Sequence, residues 1–315
     1  MSRVFELIII GAGPAGITAA VYASRQRLDT LVLTQDVGGQ AGISGDIENY
    51  TGYQFITGPE LVKKFEEHLH KYDIQLKEEE KVIRVSKEDD LCVVKSEKEI
   101  YKSKTVIIAS GKRSKELNVP GEKEFKNKGL TYCATCDGPL FSKKIVAVIG
   151  GGNSALDAAL QLIKIAKHVY IINITSQLAG DSIMRQKVTD SNIVTILNDS
   201  QVKQVLGDKM VNAIKIRKLQ PQRPQIATAE TAEEQIIDVQ GVFVEIGLIP
   251  NSEFTKGIEK NEFGEIKVNS RNETNIRGIF AAGDVTDVPE KQIIIAAGEG
   301  SKAALSAFRY LAQSN

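Results

Sequence analysis

The chain has 315 residues, of which 42% are hydrophobic and 25% charged, and its formal net charge is zero. This length accommodates two domains, and the composition is typical of a soluble globular protein. The charge balance argues against nucleic acid or an anionic membrane surface as a partner. Because neither a signal peptide nor a membrane-spanning segment is evident, we expect a cytoplasmic protein.

The first predicted elements are a strand from Val4 to Ile10 and a helix from Ile17 to Ser24, separated by a glycine-rich turn. The turn has the G-x-G-x-x-G pattern of dinucleotide-binding sites. Gly11 permits a tight turn, Gly13 lets the backbone approach a pyrophosphate, and Gly16 lets helix and strand pack closely. The flanking strand and helix favour a nucleotide site over a turn that serves packing alone. The predicted contacts are Gly11, Ala12, Gly13, Pro14, Ala15 and Gly16.

The next strand, predicted from Leu28 to Leu33, ends without the acidic residue that usually binds the adenosine ribose, so Thr34 or Gln35 would have to replace it. A helix is predicted from Glu60 to Tyr72 because its apolar residues fall on one face. Three more strands, the first two antiparallel, are predicted at Val82 to Val85, Leu91 to Val94 and Thr105 to Ala109.

The same strand–turn–helix–strand order then occurs a second time, which indicates an internal repeat. A strand from Lys144 to Ile149 precedes the turn, and a helix from Ala155 to Ala166 and a strand from His168 to Ile172 follow it. Two such motifs predict two dinucleotides, a flavin and a nicotinamide. The alternative is a duplicated fold whose second site has lost its ligand. The turn has the permitted G-x-G-x-x-A variant, with predicted contacts at Gly150, Gly152, Asn153, Ser154 and Ala155.

A third region follows the repeat. A strand is predicted from Val242 to Ile246 and an alanine-rich helix from Gln292 to Leu311. The segment from Leu219 to Glu234 is rich in Gln, Pro, Thr and Ala, and it predicts an exposed loop that joins two strands.

Cys133 and Cys136 form a C-x-x-C pair that Asp137 follows directly. Half of a zinc site, a structural disulfide and a chance pairing are alternatives. The other candidate metal ligands lack the spacing of a metal site, and a disulfide across so short a loop removes little chain entropy. Because a carboxylate beside a dithiol can move protons for thiolate chemistry, we favour a redox-active pair and predict no metal. The candidate ligands left without a role are His68, His70, His168 and Cys92, the last expected as a buried small hydrophobe.

With these motifs in place, the chain resembles the low-molecular-weight thioredoxin reductases over essentially its whole length. Residues 133–138 (CATCDG) resemble the active-site hexapeptide of that family. Gly38 to Gln40 and Ile47 to Tyr50 resemble its flavin-ring segment, and Gly283 with Asp284 resembles its contact with the FAD ribityl chain and phosphates.

The resemblance implies an α/β fold with two dinucleotide-binding, Rossmann-like, three-layer domains, the second inserted in the first. An FAD-binding domain would combine residues 1–112 with residues 246–315, and residues 113–245 would form a nicotinamide-binding-like domain that carries the dithiol. The short, glycine-bearing crossings between them would suit hinges, and a homodimer is also implied. Further implied FAD contacts are Gly39, Gln40, Asn49, Gly111, Gly283, Asp284, Gln292 and Ile293.

The family also implies a function, that of an FAD-dependent thioredoxin-disulfide reductase. Cys136 would face the flavin, and Cys133 would attack the disulfide of thioredoxin or a thioredoxin-like protein. The region from Gly247 to Leu311 is most similar to the flavoprotein subunit of alkyl hydroperoxide reductase, whose extra N-terminal thioredoxin-fold region we expect this chain to lack. The alternatives are therefore an electron-feeding reductase for a peroxidase system, a ferredoxin-dependent flavin thioredoxin reductase, and an FAD-binding redox sensor without turnover.

The electron donor is where the sequence departs from the family. NADPH-dependent members place a His-Arg-Arg-x-x-x-Arg cluster after the second strand of the inserted domain, and its arginines pair with the 2′-phosphate. NADH-preferring relatives place a glutamate at the first position, where this chain has Asn173, which could hydrogen-bond the ribose hydroxyls. We therefore expect NADH to be a better donor than NADPH, with ferredoxin as the alternative. The residues at the cluster positions are Asn173, Ile174, Thr175 and Ala179.

Overall fold

A computed structural model describes residues 3–42, 44, 46–219 and 234–313. The chain forms two compact units. The first combines Met1–Arg113 with Ile249–Asn315, and the second is the intervening segment Ser114–Leu248. Both units contain parallel strands alternating with helices, so the predicted α/β class with two Rossmann-like domains is confirmed.

The elements of the first unit lie at both ends of the chain. Before the first crossing come strands β1 (Val4–Ala12), β2 (Thr30–Val37), β3 (Asp46–Ile47), β4 (Ile56–Thr57), β5 (Gln75–Lys77), β6 (Val82–Glu88), β7 (Leu91–Ser96) and β8 (Ile100–Ile108), with helices α1 (Pro14–Arg25), α2 (Gly39–Gly42) and α3 (Gly58–Leu69). The crossing itself is strand β9 (Lys112–Ser114).

The second unit and the return to the first supply the remaining elements. The second unit contains α4 (Glu122–Phe125), β10 (Leu130–Thr131), α5 (Ala134–Asp137), β11 (Ile145–Ile149), α6 (Asn153–Leu162), β12 (His168–Ile172), α7 (Ser182–Thr189), β13 (Val194–Leu197), β14 (Ser200–Gly207), β15 (Val211–Lys218), β16 (Glu234–Asp238) and β17 (Gly241–Val244). The return crossing is β18 (Leu248–Pro250), followed by β19 (Ile279–Ala281) and α8 (Ile293–Gln313).

The main sheet of the first unit has the strand order β5-β2-β1-β8-β7-β6, with β19 also paired to β8. The strands β5, β2, β1, β8 and β19 pair in parallel, whereas β6 and β7 are antiparallel. Successive side chains of a strand point to opposite faces. Leu7 and Ile9 accordingly pack on the α1 and α8 face, and Ile8 and Ile10 pack on the other. Burial on both faces explains the apolar run from Leu7 to Ile10 in this strand.

The second unit has a parallel sheet of order β10-β17-β11-β12-β13 and an antiparallel sheet of order β14-β15-β16. Val146 and Val148 pack in one cluster with the apolar face of α6, while Ala147 and Ile149 pack against the antiparallel sheet. Helices, a parallel sheet and an antiparallel sheet therefore form three layers. The parallel strands end at the edge that carries the second glycine turn.

Several element boundaries differ from the predicted ones. Strand β2 runs to Val37 because Ala12 pairs with Val37 beyond an irregularity in the register, which the side-chain pattern does not reveal. Helix α3 begins at Gly58, before the predicted start at Glu60. The reason is that Thr57 and Glu60 form a capping box, with Thr57 N donating to Glu60 Oε2 at 3.0 Å. The predicted loop from Leu219 to Glu234 falls almost wholly outside the described residues, between the antiparallel strands β15 and β16. Within the described ranges, no helix has the length and apolarity needed to cross a membrane.

Candidate active site

The first glycine turn lies between β1 and α1 in the first unit. Gly11 has a φ of +102°, and a Cβ there would lie 2.4 Å from Ala109 O, while a Cβ on Gly16 would lie 1.8 Å from Gly11 O. Only glycine permits such contacts. Gly13 is different, because a Cβ on it would meet no atom within 4 Å. No side chain caps the N-terminus of α1, so its backbone N–H groups are available to an anion such as a pyrophosphate.

Two other predicted cofactor residues of the first unit, Gly39 and Gly283, lie beside this turn. A Cβ on Gly39 would lie 3.6 Å from Gly13 Cα, and a Cβ on Gly283 would lie 2.9 Å from Ala15 Cβ. Asn49 Nδ2 donates to Gln292 Oε1 at 3.0 Å, which joins two segments that are far apart in the sequence. The three remaining predicted contacts are each placed differently: Gly111 has a φ of +66°, Gln40 is exposed, and Ile293 packs beside Ile47 and Ile56.

Asp284 directly follows Gly283 and is half-buried. Among the described residues, no side-chain hydrogen bond or ion pair reaches it, and its burial raises its pKa, although the charges of Lys291 and Lys112 act in the opposite direction. Both lysines form ion pairs with Glu265 instead. A half-buried carboxyl to which no other described side chain is bonded, next to a turn that only glycine can form, fits a ligand with hydroxyl groups and a pyrophosphate. The residues present therefore fit FAD.

Thr34 and Gln35 were expected to replace the acidic residue that usually binds the ribose, but neither is clearly placed to do so. Thr34 is buried, and its hydroxyl accepts a hydrogen bond from Ala12 N at 3.2 Å and donates one to Asp36 O. It therefore stabilises the turn, whereas Gln35 is exposed. Asp36 is an exposed carboxylate on the same strand, and the sequence prediction overlooked it because β2 was expected to end at Leu33.

The dithiol lies in the second unit, where Cys133 and Cys136 form a disulfide with a Cα–Cα distance of 5.3 Å. Cys136 N donates to Cys133 Sγ at 3.2 Å, so the first turn of α5 folds over the first sulfur. Asp137 is buried, and its carboxylate accepts a hydrogen bond from the Thr131 hydroxyl. The same hydroxyl oxygen accepts from Cys133 N at 3.2 Å. Thr131 thus links the carboxyl group to the backbone of the dithiol.

Glu245, which directly follows β17, also contacts the dithiol turn. Its Oε1 accepts a hydrogen bond from Ala134 N at 3.3 Å. Burial, together with the charge of Asp157, raises the pKa of Glu245 to about 7, although the Ala134 N–H lowers it. The sequence prediction placed this residue inside an apolar strand and gave it no role. The available signal was a carboxylate within an otherwise apolar run.

The second glycine turn repeats the backbone features of the first. Gly150 has a φ of +139°, and a Cβ there would lie 2.3 Å from Glu245 O, whereas a Cβ on Gly152 would meet nothing within 4 Å. No side chain caps the N-terminus of α6. Ser154 is exposed, Ala155 is buried, and Asn153 Oδ1 accepts from Asp181 N at 2.7 Å. The main chain of this turn therefore fits a second dinucleotide.

Asn173, the predicted ribose contact, is 2% exposed. Its amide nitrogen donates to Thr175 O at 3.0 Å and Asn198 Oδ1 at 2.8 Å, and its amide oxygen accepts from the Thr175 hydroxyl at 3.0 Å and Thr175 N at 3.4 Å. A Cβ on Gly151 would lie 2.2 Å from that oxygen. The side chain has used its full hydrogen-bonding capacity, so ribose binding would require it to exchange partners.

The positions at which the family has arginines carry no cationic side chain in this chain. Ile174 is 58% exposed, and Ala179 N donates to Gly151 O at 2.7 Å. The nearest cations that follow in the sequence, Arg185 and Lys187, both lie on α7. Arg185 Nη1 lies 3.4 Å from Leu178 O, to which it donates.

A model of the pyridine nucleotide-disulphide oxidoreductase family matches residues 5–300. The chain belongs to this family. It is 41% identical over 308 residues to a Bacillus subtilis protein named NADH dehydrogenase, with 98% of this chain and 58% of that protein covered. It is 40% identical over 312 residues to an alkyl hydroperoxide reductase subunit of Pseudomonas aeruginosa, with 98% and 58% covered. The chain thus spans 58% of the length of these two curated relatives.

Solved structures point to the thioredoxin reductases. That of Streptococcus pyogenes matches with a TM-score of 0.91 and 34% identity over 99% of this chain and 100% of its own. A ferredoxin-flavin thioredoxin reductase from Clostridium acetobutylicum matches with a TM-score of 0.53 and 29% identity over 99% and 100%. The resemblance to low-molecular-weight thioredoxin reductases is confirmed. Across the described part of the chain, no group of three or more His, Cys, Asp or Glu side chains is arranged to hold a metal.

Proposed function

We propose that this protein is an FAD-dependent reductase that transfers two electrons through Cys133 and Cys136 to the disulfide of thioredoxin or a thioredoxin-like protein. The disulfide beside a buried carboxylate is the observation that carries the proposal. Two structures that match with TM-scores of 0.91 and 0.89 over their whole length are thioredoxin reductases, which supports the same substrate class.

The first unit would hold the cofactor with its own backbone and one carboxylate. The open face of Gly13 and the N–H groups of α1 would bind the pyrophosphate, and Asp284 would accept a hydrogen bond from a ribityl hydroxyl. FAD, when bound, supplies the carrier of two electrons between the donor and the dithiol. The Asn49–Gln292 pair is the contact that would position the segments beside the flavin ring.

The dithiol chemistry follows from thiol–disulfide exchange. After two-electron reduction, the Cys133 thiolate attacks the partner disulfide, forms a mixed disulfide and displaces one partner thiolate. The Cys136 thiolate then attacks Cys133 Sγ, which restores the intramolecular disulfide and displaces the second partner thiolate. Asp137 is placed to supply or accept a proton in these steps, because Thr131 holds its carboxylate beside the backbone of Cys133.

NADH is the donor that we propose, because no arginine occupies the positions that would bind a 2′-phosphate. Ferredoxin is a second candidate, supported by the saturated Asn173 and by the match to a ferredoxin-flavin thioredoxin reductase. A role in feeding electrons to a peroxidase system is supported by the alkyl hydroperoxide reductase relatives, which align with 98% of this chain.

Two assays test these proposals. Anaerobic titration of the FAD-loaded protein with NADH, NADPH and reduced ferredoxin, followed by flavin bleaching, should show NADH as the effective nucleotide. Reduction by NADPH at micromolar levels with NADH inert contradicts the arginine argument, and inertness to both with rapid reduction by ferredoxin favours the second candidate. Turnover with thioredoxin should then exceed turnover with a peroxidase-coupled system. The reverse ranking would favour the peroxidase role.

A further inference from the structure

Glu245 lies between the two features that define the second unit. Its side chain accepts a hydrogen bond from Ala134 N in the dithiol turn, at 3.3 Å. Its backbone N donates to Ile149 O at 2.8 Å, and its carbonyl oxygen lies 2.3 Å from where a Cβ on Gly150 would be. One residue therefore contacts both the dithiol turn and the glycine turn of the same unit.

We propose that Glu245 is a positioning residue for the dithiol, and that gain or loss of a proton on its carboxyl changes the reactivity of the Cys133–Cys136 pair. This inference rests on the proposed function only in assuming that the dithiol is used in its reduced form. Asp137 is the carboxylate that the family motif supplies, whereas Glu245 reaches the same turn from a different strand of the sheet.

The geometry places the anchor at the start of α5. Ala134 directly follows Cys133, and the helix it begins contains Cys136 and Asp137. A carboxylate accepts a stronger hydrogen bond from a backbone N–H than a protonated carboxyl does. Protonation of Glu245 would therefore loosen this anchor and remove a negative charge from the dithiol turn.

The surroundings of Glu245 determine the pH at which its carboxyl gains or loses a proton. Asp157 on α6 and Asp137 on α5 are both acidic, and within the described residues no lysine or arginine forms an ion pair with Glu245. The side chain of Lys115 lies near Gly247, two residues further along the chain. Burial, with a contribution from Asp157, raises the pKa of Glu245 to about 7, so the carboxyl changes charge near neutral pH.

The test is the pH dependence of thiol alkylation in the reduced FAD-loaded protein. Iodoacetamide reacts with thiolates, and mass spectrometry identifies the modified cysteine, which separates the dithiol from the buried Cys92. Glu245→Gln keeps a hydrogen-bond acceptor for Ala134 N but cannot ionise. Its alkylation rate should equal that of the wild type at pH 5.5 and exceed it roughly 3- to 10-fold at pH 8, because removing a nearby carboxylate lowers a thiol pKa by about half a unit to one unit.

A Glu245→Gln to wild-type rate ratio that is the same at every pH would overturn the proposal, because a purely structural role gives no such dependence. Asp157→Asn provides an independent variant at an exposed position, and it should shift the onset of the pH effect to lower pH, since it removes a charge that raises the pKa of Glu245. An unchanged or higher onset contradicts the proposal. Neither measurement needs an electron donor or a protein partner, so both remain decisive if the proposed function is wrong.

Discussion

The protonation of Glu245 also predicts how the stability of the protein depends on pH. In the folded protein, burial raises the pKa of this carboxyl from 4.5 to about 7. Each pKa unit corresponds to about 1.4 kcal/mol, so ionisation in the folded state costs at most about 3.5 kcal/mol, and solvent near the half-buried side chain reduces this to roughly 1–2 kcal/mol. Because the pKa of Glu245 is higher in the folded than in the unfolded protein, folding favours the protonated carboxyl. The resulting contribution to stability is fully present below pH 4.5 and is lost as the pH rises through about 7.

The assay is thermal unfolding of wild type and Glu245→Gln at pH 5 and pH 8. The amide cannot ionise, so the Tm of the variant relative to wild type should increase between the two pH values by a few degrees, roughly 2–4 °C for each kcal/mol. Any constant cost of burying the amide cancels in this difference. Asp208→Asn, at an exposed carboxylate, is the matched control and should show no such change. A relative Tm of Glu245→Gln that is equal at both pH values would refute the pKa argument.

Three further variants test the cofactor and the dithiol. Asp284→Ala should weaken FAD retention roughly 10- to 100-fold in a dialysis assay, because a hydrogen bond to a charged group contributes about 1.5–3 kcal/mol, whereas the exposed Glu290→Ala should retain FAD normally. Cys133→Ser should keep reduction of the flavin by its donor but lose disulfide reduction, and Cys136→Ser should trap the partner protein as a mixed disulfide on a non-reducing gel; full activity of either variant contradicts the exchange scheme. Asp137→Asn should slow turnover on the order of 100- to 10,000-fold with FAD still bound, and an unchanged rate argues against proton transfer by Asp137.

The fold and the dithiol could be predicted because their signals are local in the sequence. The glycines at 11, 13 and 16 occur within one turn, and the positive φ of Gly11 and its contact with Ala109 explain why that spacing is required. The strand from His168 to Ile172 has the predicted bounds, since the apolar strand β11 pairs with it in parallel over all five residues. In both cases the sequence pattern is required by the local backbone geometry, so it can be recognised without the structure.

Contacts between distant parts of the sequence could not be predicted in this way. Glu245 and Ala134 come together only because β17 and β10 are adjacent in the parallel sheet. Asn173 was predicted to bind ribose from its position alone, yet Asn198, which follows the neighbouring strand β13, occupies one of its donors. Asp36 was overlooked because the pairing of Ala12 with Val37 continues past three polar residues.

The second glycine turn bears on the choice of electron donor in two ways. Its backbone fits a dinucleotide, since Gly152 faces open space and α6 has no side-chain cap. Its side chains do not favour a 2′-phosphate, because Ile174 is exposed where an arginine would be and Arg185 donates to Leu178 O. A dianionic phosphate would lose hydration there without gaining a cation, whereas NADH carries no such group. The proposed preference for NADH over NADPH therefore rests on the cost imposed on NADPH, and it does not depend on whether Asn173 releases its internal partners.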